Sequence, residues 1–153
     1  MKKIILSLTI AAAILSSSFT YAATDASKNE PGFKVKQAFS TEFTQAKDVQ
    51  WTTMGKDGVY QAKFVFNNET LQAFFTEEGD FLGTTRQILQ SQLPILVATG
   101  LNKEYADARV VTIFEYSKKD GTEYYITLIT KKGAIIVKAT GSGELTVHQR
   151  NIK

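Results

Sequence analysis

"KDGVYQAKF", residues 56–64, has a near copy further along the chain in "KDGTEYYITL", residues 119–128. In both, an Asp-Gly pair stands before a run whose side chains alternate. Asp-Gly is a hairpin signal because glycine takes a positive φ without steric penalty. Setting Tyr60 on Tyr124, sixty-four positions apart, also sets Phe64 on Leu128, Leu71 on Ile135 and Gly79 on Gly143. One spacing thus aligns three successive strands and their turns.

Outward from these stretches, each half reads as one helix followed by four strands. Val35, Ala38, Phe39, Phe43 and Ala46 form an apolar stripe at helical spacing. "KDVQW" switches to strand alternation, with Val49 and Trp51 on one face, and "VYQAKFVF", "TLQAFFT" and "FLGTTRQI" follow as further strands. The pattern restarts at "SQLPILVATGLNKEY", with Ser91 or Gln92 near the N-cap and Pro94 in the first turn. "ARVVTIFEY", "TEYYITLIT", "AIIVKAT" and "ELTVHQR" supply four more strands. The expected fold class is α+β, a tandem repeat of a helix plus a four-stranded antiparallel sheet, over residues 34–90 and 91–153. The alternative is a plain meander, in which glycine turns recur at regular intervals without duplication.

The N-terminus reads as a secretory signal over residues 1–22: basic "MKK", apolar "IILSLTIAAAIL", then small residues with Thr20 and Ala22 before the cut. The apolar run meets Ser16-Ser17-Ser18 too soon to remain as a membrane anchor, which needs about 20 apolar residues. Residues 23–33 are polar and contain breakers, and read as a flexible leader. The expected location is periplasmic or secreted, with no membrane anchor after cleavage.

The full chain has 18 Lys+Arg and 15 Asp+Glu. Lys2 and Lys3 leave with the signal, so the mature chain keeps sixteen bases against fifteen acids, a net charge of +1. A nucleic-acid partner is not expected from that balance. The absence of cysteine excludes disulfides, thiolate metal sites and cysteine nucleophiles.

A family resemblance rests on Phe39-x-x-x-Phe43-x-x-Ala46-x-x-Val49-x-Trp51, then Gly58-x-Tyr60-x-Ala62-x-Phe64, Gly79-x-x-Leu82-x-Thr84 and Leu93-Pro94-x-x-Val97. This skeleton resembles the PepSY-like, or beta-lactamase-inhibitor-protein-like, family of exported bacterial proteins. It is strongest over residues 35–97. In the second half Phe114 or Glu115 stands where a tryptophan would be expected, and Ile126 replaces the alanine of the second strand. The resemblance implies the tandem helix-plus-sheet fold and a non-enzymatic role in binding protein or peptide.

The residues themselves give no catalytic constellation. His148 is the single histidine and falls on the polar side of its strand, opposite Leu145 and Val147. One imidazole without neighbouring ligands makes a poor metal site. "TEEGD" lacks the alternating acids of a calcium loop. Ser142 in "GSGEL" lies at a strand-to-strand turn, unlike a nucleophile elbow. The chain is therefore expected to be no enzyme, without cofactor or metal.

What remains is the outer sheet face. Side chains alternate along a strand, so if Tyr60, Ala62, Phe64, Leu71, Ala73 and Phe75 lie under the helix, the opposite face carries Lys63, Val65, Gln72 and Phe74. In the second half it carries Tyr125, Ile129, Ile136 and Lys138. Apolar anchors framed by polar groups suit a surface that binds a protein or peptide of the cell envelope, inhibitory or regulatory in effect. The same residues could instead bury one another where the two halves meet. A second functional reading is a carrier or scavenger of a small apolar ligand.

Overall fold

The computed structural model describes residues 30–54 and 58–150. The expected signal peptide and most of the expected leader lie outside the described residues. The elements are α1 (Phe33–Glu42), β1 (Lys47–Met54), β2 (Val59–Phe66), β3 (Glu69–Phe75), β4 (Phe81–Gln87), a 3-10 turn (Gln90–Gln92), α2 (Ile95–Glu104), β5 (Arg109–Lys118), β6 (Gly121–Thr130), β7 (Gly133–Thr140) and β8 (Leu145–Arg150). The strands follow one another in an eight-stranded antiparallel sheet, in the order β1 to β8. The chain divides into two compact units, one ending at Gly83 and the other starting at Thr84. The division falls inside β4, because Thr84–Gln87 pair with Ser117–Phe114 of β5.

In the first unit, Val35 and Phe39 of α1 bury themselves on Ala62, Phe64, Ala73 and Phe75. These four alternate along β2 and β3, and Ala62 pairs with Ala73 and Phe64 with Leu71, so they share a face. Phe39 is the centre: its ring lies 5.0 Å from Phe64 and 5.2 Å from Trp51, both edge-on. Trp51 itself is only half-buried, on a strand with a single neighbour in this unit. Val49 departs from the expected alternation. Asp48 takes φ +54 at a register irregularity between Lys47 and Gln50, and Val49 is exposed. The last leader residues are also less free than expected: Pro31 is buried, and Glu30 accepts a hydrogen bond from Lys36.

In the second unit, Val97 and Leu101 of α2 cover Ile126, Leu128 and Val137, with Ile113 and Tyr124 in the same cluster. The helix starts later than its sequence suggests. Leu93 is extended (φ −65, ψ 143), as a residue before proline prefers, so Pro94 becomes the N-cap and the helix opens at Ile95. Gln92 instead accepts from the Leu89 amide at 2.7 Å and closes the 3-10 turn.

Matched hydrogen bonds occur in both units. The Phe43 amide donates to Phe39 at 2.9 Å and the Tyr105 amide to Leu101 at 2.8 Å; Ala46 donates to Phe43 and Ala108 to Tyr105. At the third hairpin, Thr76 donates to Asp80 and Thr140 to Glu144, while Gly79 and Gly143 donate back to Thr76 and Thr140. Helix and first strand correspond at sixty-two positions and the later strands at sixty-four, because the β5–β6 hairpin is two residues longer. The counterpart of Trp51 is therefore Ile113, not Phe114 or Glu115. Trp51 lies opposite Ala62, as Ile113 lies opposite Ile126.

Candidate functional site

The outer face of each unit is built by the strand positions between those that pack under the helix. In the first unit Lys63 lies opposite Gln72, Val65 opposite Thr70 and Gln61 opposite Phe74. Lys63, Val65 and Gln72 are half-exposed. Phe74 is fully buried, and so is not the exposed anchor expected of it.

The second unit corrects the expectation at two more positions. Tyr125 is 3% exposed and Ile136 is fully buried, so neither offers its side chain to a partner. Alternation fixes which face a side chain takes, whereas cover over that face comes from other parts of the chain. Ile129 is exposed at 39%, and Lys138 is half-exposed. Five of the eight candidate residues thus remain open to solvent in part: Lys63, Val65, Gln72, Ile129 and Lys138.

The structure also assembles a polar cluster that no sequence spacing announces. Glu123 faces Tyr116 across β5–β6, and Tyr125 faces Lys138 across β6–β7. Lys118 Nζ donates to Glu123 Oε1 at 3.1 Å, and Lys138 Nζ donates to the same oxygen at 3.2 Å. The Tyr125 hydroxyl donates to Glu123 Oε2 at 3.1 Å. His148 packs edge-on to Tyr125 with centroids 5.2 Å apart, so it is not the fully solvated strand residue expected. Lys118, Glu123 and Tyr125 are near one another across the β5–β6 hairpin, and Lys138 and His148 join them from later strands.

Protonation states follow from this geometry. Burial raises the Glu123 carboxyl, but the hydrogen bonds and charges of Lys118 and Lys138 outweigh it and leave its pKa below the ordinary value. Burial, then the Glu123 charge, pushes Tyr116 up to about 12, and the same causes raise Tyr125. The carboxylate stays charged and both phenols stay neutral at neutral pH.

A depressed carboxylate pKa stabilises the fold above the unfolded-state value and loses that contribution as pH falls through the folded value. Glu123→Gln should cost about 1.5–3 kcal/mol at pH 7, the range for hydrogen bonds to charged groups. The difference from wild type should shrink on acidification below about pH 4. Urea unfolding at pH 7 and pH 3 checks this; an equal difference at both pH values would show that the ion cluster contributes nothing.

No protein-family model matches the sequence, and comparison with curated proteins gives no match. Solved structures do resemble it. A DUF2874 family protein from Bacteroides ovatus aligns with a TM-score of 0.69 at 20% identity, over 78% of this chain and 89% of that one. A BLIP-like protein from Bacteroides fragilis aligns with a TM-score of 0.65 at 21% identity, over 76% and 84%. A provisionally periplasmic protein from Bacteroides eggerthii gives 0.68 at 16% identity, over 76% and 86%. Among the described residues no helix is long and apolar enough to cross a membrane. At these identities the likeness concerns architecture, and it gives this chain the fold of BLIP-like proteins.

Proposed function

We propose that the chain is an exported, non-enzymatic binding module of the PepSY-like type, which recognises a protein or peptide of the cell envelope through the outer face of its sheet. Its two units are read as a tandem duplication of one helix and four strands. The matched bonds at Gly79 and Gly143, and at Phe43 and Tyr105, support that reading.

The observation that carries the binding role is the state of the outer face. Its carboxylate Glu123 is held by two lysines and a tyrosine, which suits a fixed surface better than a reacting one. In the first unit Val65 stays partly open with half-exposed Lys63 and Gln72, and in the second Ile129 is exposed and Lys138 half-exposed. Such a mixture of partly open apolar and polar side chains is the usual make-up of a recognition surface.

The test is recovery of partners from envelope extract with three proteins: wild type, Lys63→Glu/Gln72→Glu, and Ile129→Glu. Each variant should lower recovery of a specific partner by about ten-fold, equivalent to about 1.4 kcal/mol, without moving the unfolding midpoint. Unchanged recovery by both variants would reject the outer face as the binding surface.

A further inference from the structure

We propose that the second unit carries a separate site for a small amphipathic anion, a carboxylate or phosphate head on a short hydrocarbon body. A recess of about 510 Å³ opens between the end of α2 and the β6–β7 hairpin. That volume lies within the range of small-molecule sites, about 300–1,000 Å³. Its apolar lining includes Tyr105, Ala108 and Ile135, all part of or packed on the core of this unit. The polar lining includes Lys103, Lys131, Lys132 and Arg150 against only Glu104 and Asp107. Asp107 is already held by Lys131 at 2.6 Å. Lys103, Lys132 and Arg150 make no ion pair among the described residues. Apolar lining beneath unspent positive charge complements a molecule with a hydrocarbon body and an anionic head.

The first unit provides an internal comparison. A recess of about 580 Å³ lies at the matching place, between the end of α1 and the β2–β3 hairpin, lined by Thr44, Gln45, Ala46, Lys47, Val65, Asn67 and Asn68. The fold alone therefore makes the hollow. That recess carries one cation, Lys47, whereas the second unit gathers four, with Lys131 and Lys132 standing in place of Asn67 and Asn68.

The backbone changes with them. Asn67 and Asn68 take φ +51 and +64, a conformation that disfavours long side chains, whereas the β6–β7 hairpin moves its positive φ to Gly133 at +115. Lysines at the loop positions then carry no such strain. Nor does the negative end of the helix demand them: α1 closes through the same amide bonds with no basic residue in its last turn.

The site does not depend on the outer-face reading, and its test uses the full chain. Amide shifts are followed by NMR during titration with decanoate, decyl phosphate and 1-decanol below their aggregation limits. At least one anion should shift the amides of Tyr105, Asp107 and Lys132 saturably, and the tighter of the two identifies the head group. Decanol should bind at least about ten-fold more weakly. Lys131→Asn/Lys132→Asn, which copies the first unit, should weaken the anion by about ten-fold or more, and Ala106→Trp should block the recess without changing its charge.

The proposal is overturned by any of three results: no saturable shift with either anion, equal affinity for decanol, or unchanged affinity in both variants. Shifts centred on Gln45 and Asn68 instead would overturn it as well.

Discussion

Phe39→Ala is expected to lower the stability of the chain by about 3–5 kcal/mol, the range for truncating a buried aromatic ring. Phe39 is 7% exposed and its ring meets four others: Phe43, Trp51, Phe64 and Phe75. Edge-to-face pairs of this kind add roughly 0.5–1.5 kcal/mol each beyond the area they bury. Truncation therefore leaves a cavity ringed by stiff side chains that cannot collapse into it. Phe33, on the same helix but 79% exposed, should change stability by less than about 0.5 kcal/mol when replaced by alanine. Urea unfolding midpoints separate the two. Equal midpoints would mean that α1 does not pack through Phe39.

Gly143→Val should cost roughly 2–4 kcal/mol, combining a strained backbone with overpacking. Gly143 sits at φ +89, and a side chain there would place its Cβ 3.0 Å from the Leu96 carbonyl oxygen. Gly79, at φ +93, meets the Lys34 carbonyl oxygen at the same 3.0 Å, so Gly79→Val should cost about as much. Two controls isolate the cause. Gly121 has φ +132 with open space around it, so Gly121→Ala should show backbone strain alone, about 1 kcal/mol. Gly141 has neither constraint, and Gly141→Ala should be neutral within about 0.5 kcal/mol. A Gly79→Val or Gly143→Val variant as stable as wild type would contradict the close approach of helix to hairpin in that unit.

The inner faces were readable because burial under a helix imposes a period of two on strands such as β2 and β6, and Ala62, Phe64, Ile126 and Leu128 obey it. The turn glycines were readable because positive φ restricts the residue choice at Gly79 and Gly143. The first strand of the second unit was obscured by the very echo that reveals the architecture. The two Lys-Asp-Gly turns look equivalent, but the longer hairpin displaces β5, and Ile113 rather than Phe114 occupies the tryptophan's place.

The outer face was only half readable. Alternation assigns Phe74, Tyr125 and Ile136 to it correctly, but nothing in a single strand records whether a face is covered, and these three are buried. The ion cluster at Glu123 was silent for a related reason: Lys118, Glu123 and Lys138 belong to three strands and meet through pairing. The recess was silent too, since Lys103, Lys131 and Arg150 look like ordinary surface charges until the fold gathers them.

The proposed binding role is tested most directly by site-specific photocrosslinking in the living cell, with a benzophenone amino acid placed singly at position 63, 72 or 129 and, as a control, at the exposed helix position 40. A covalent adduct to one discrete envelope protein or peptide is expected from the outer-face positions and none from position 40. Adducts that form equally from position 40, or from none of the outer-face positions, would contradict it.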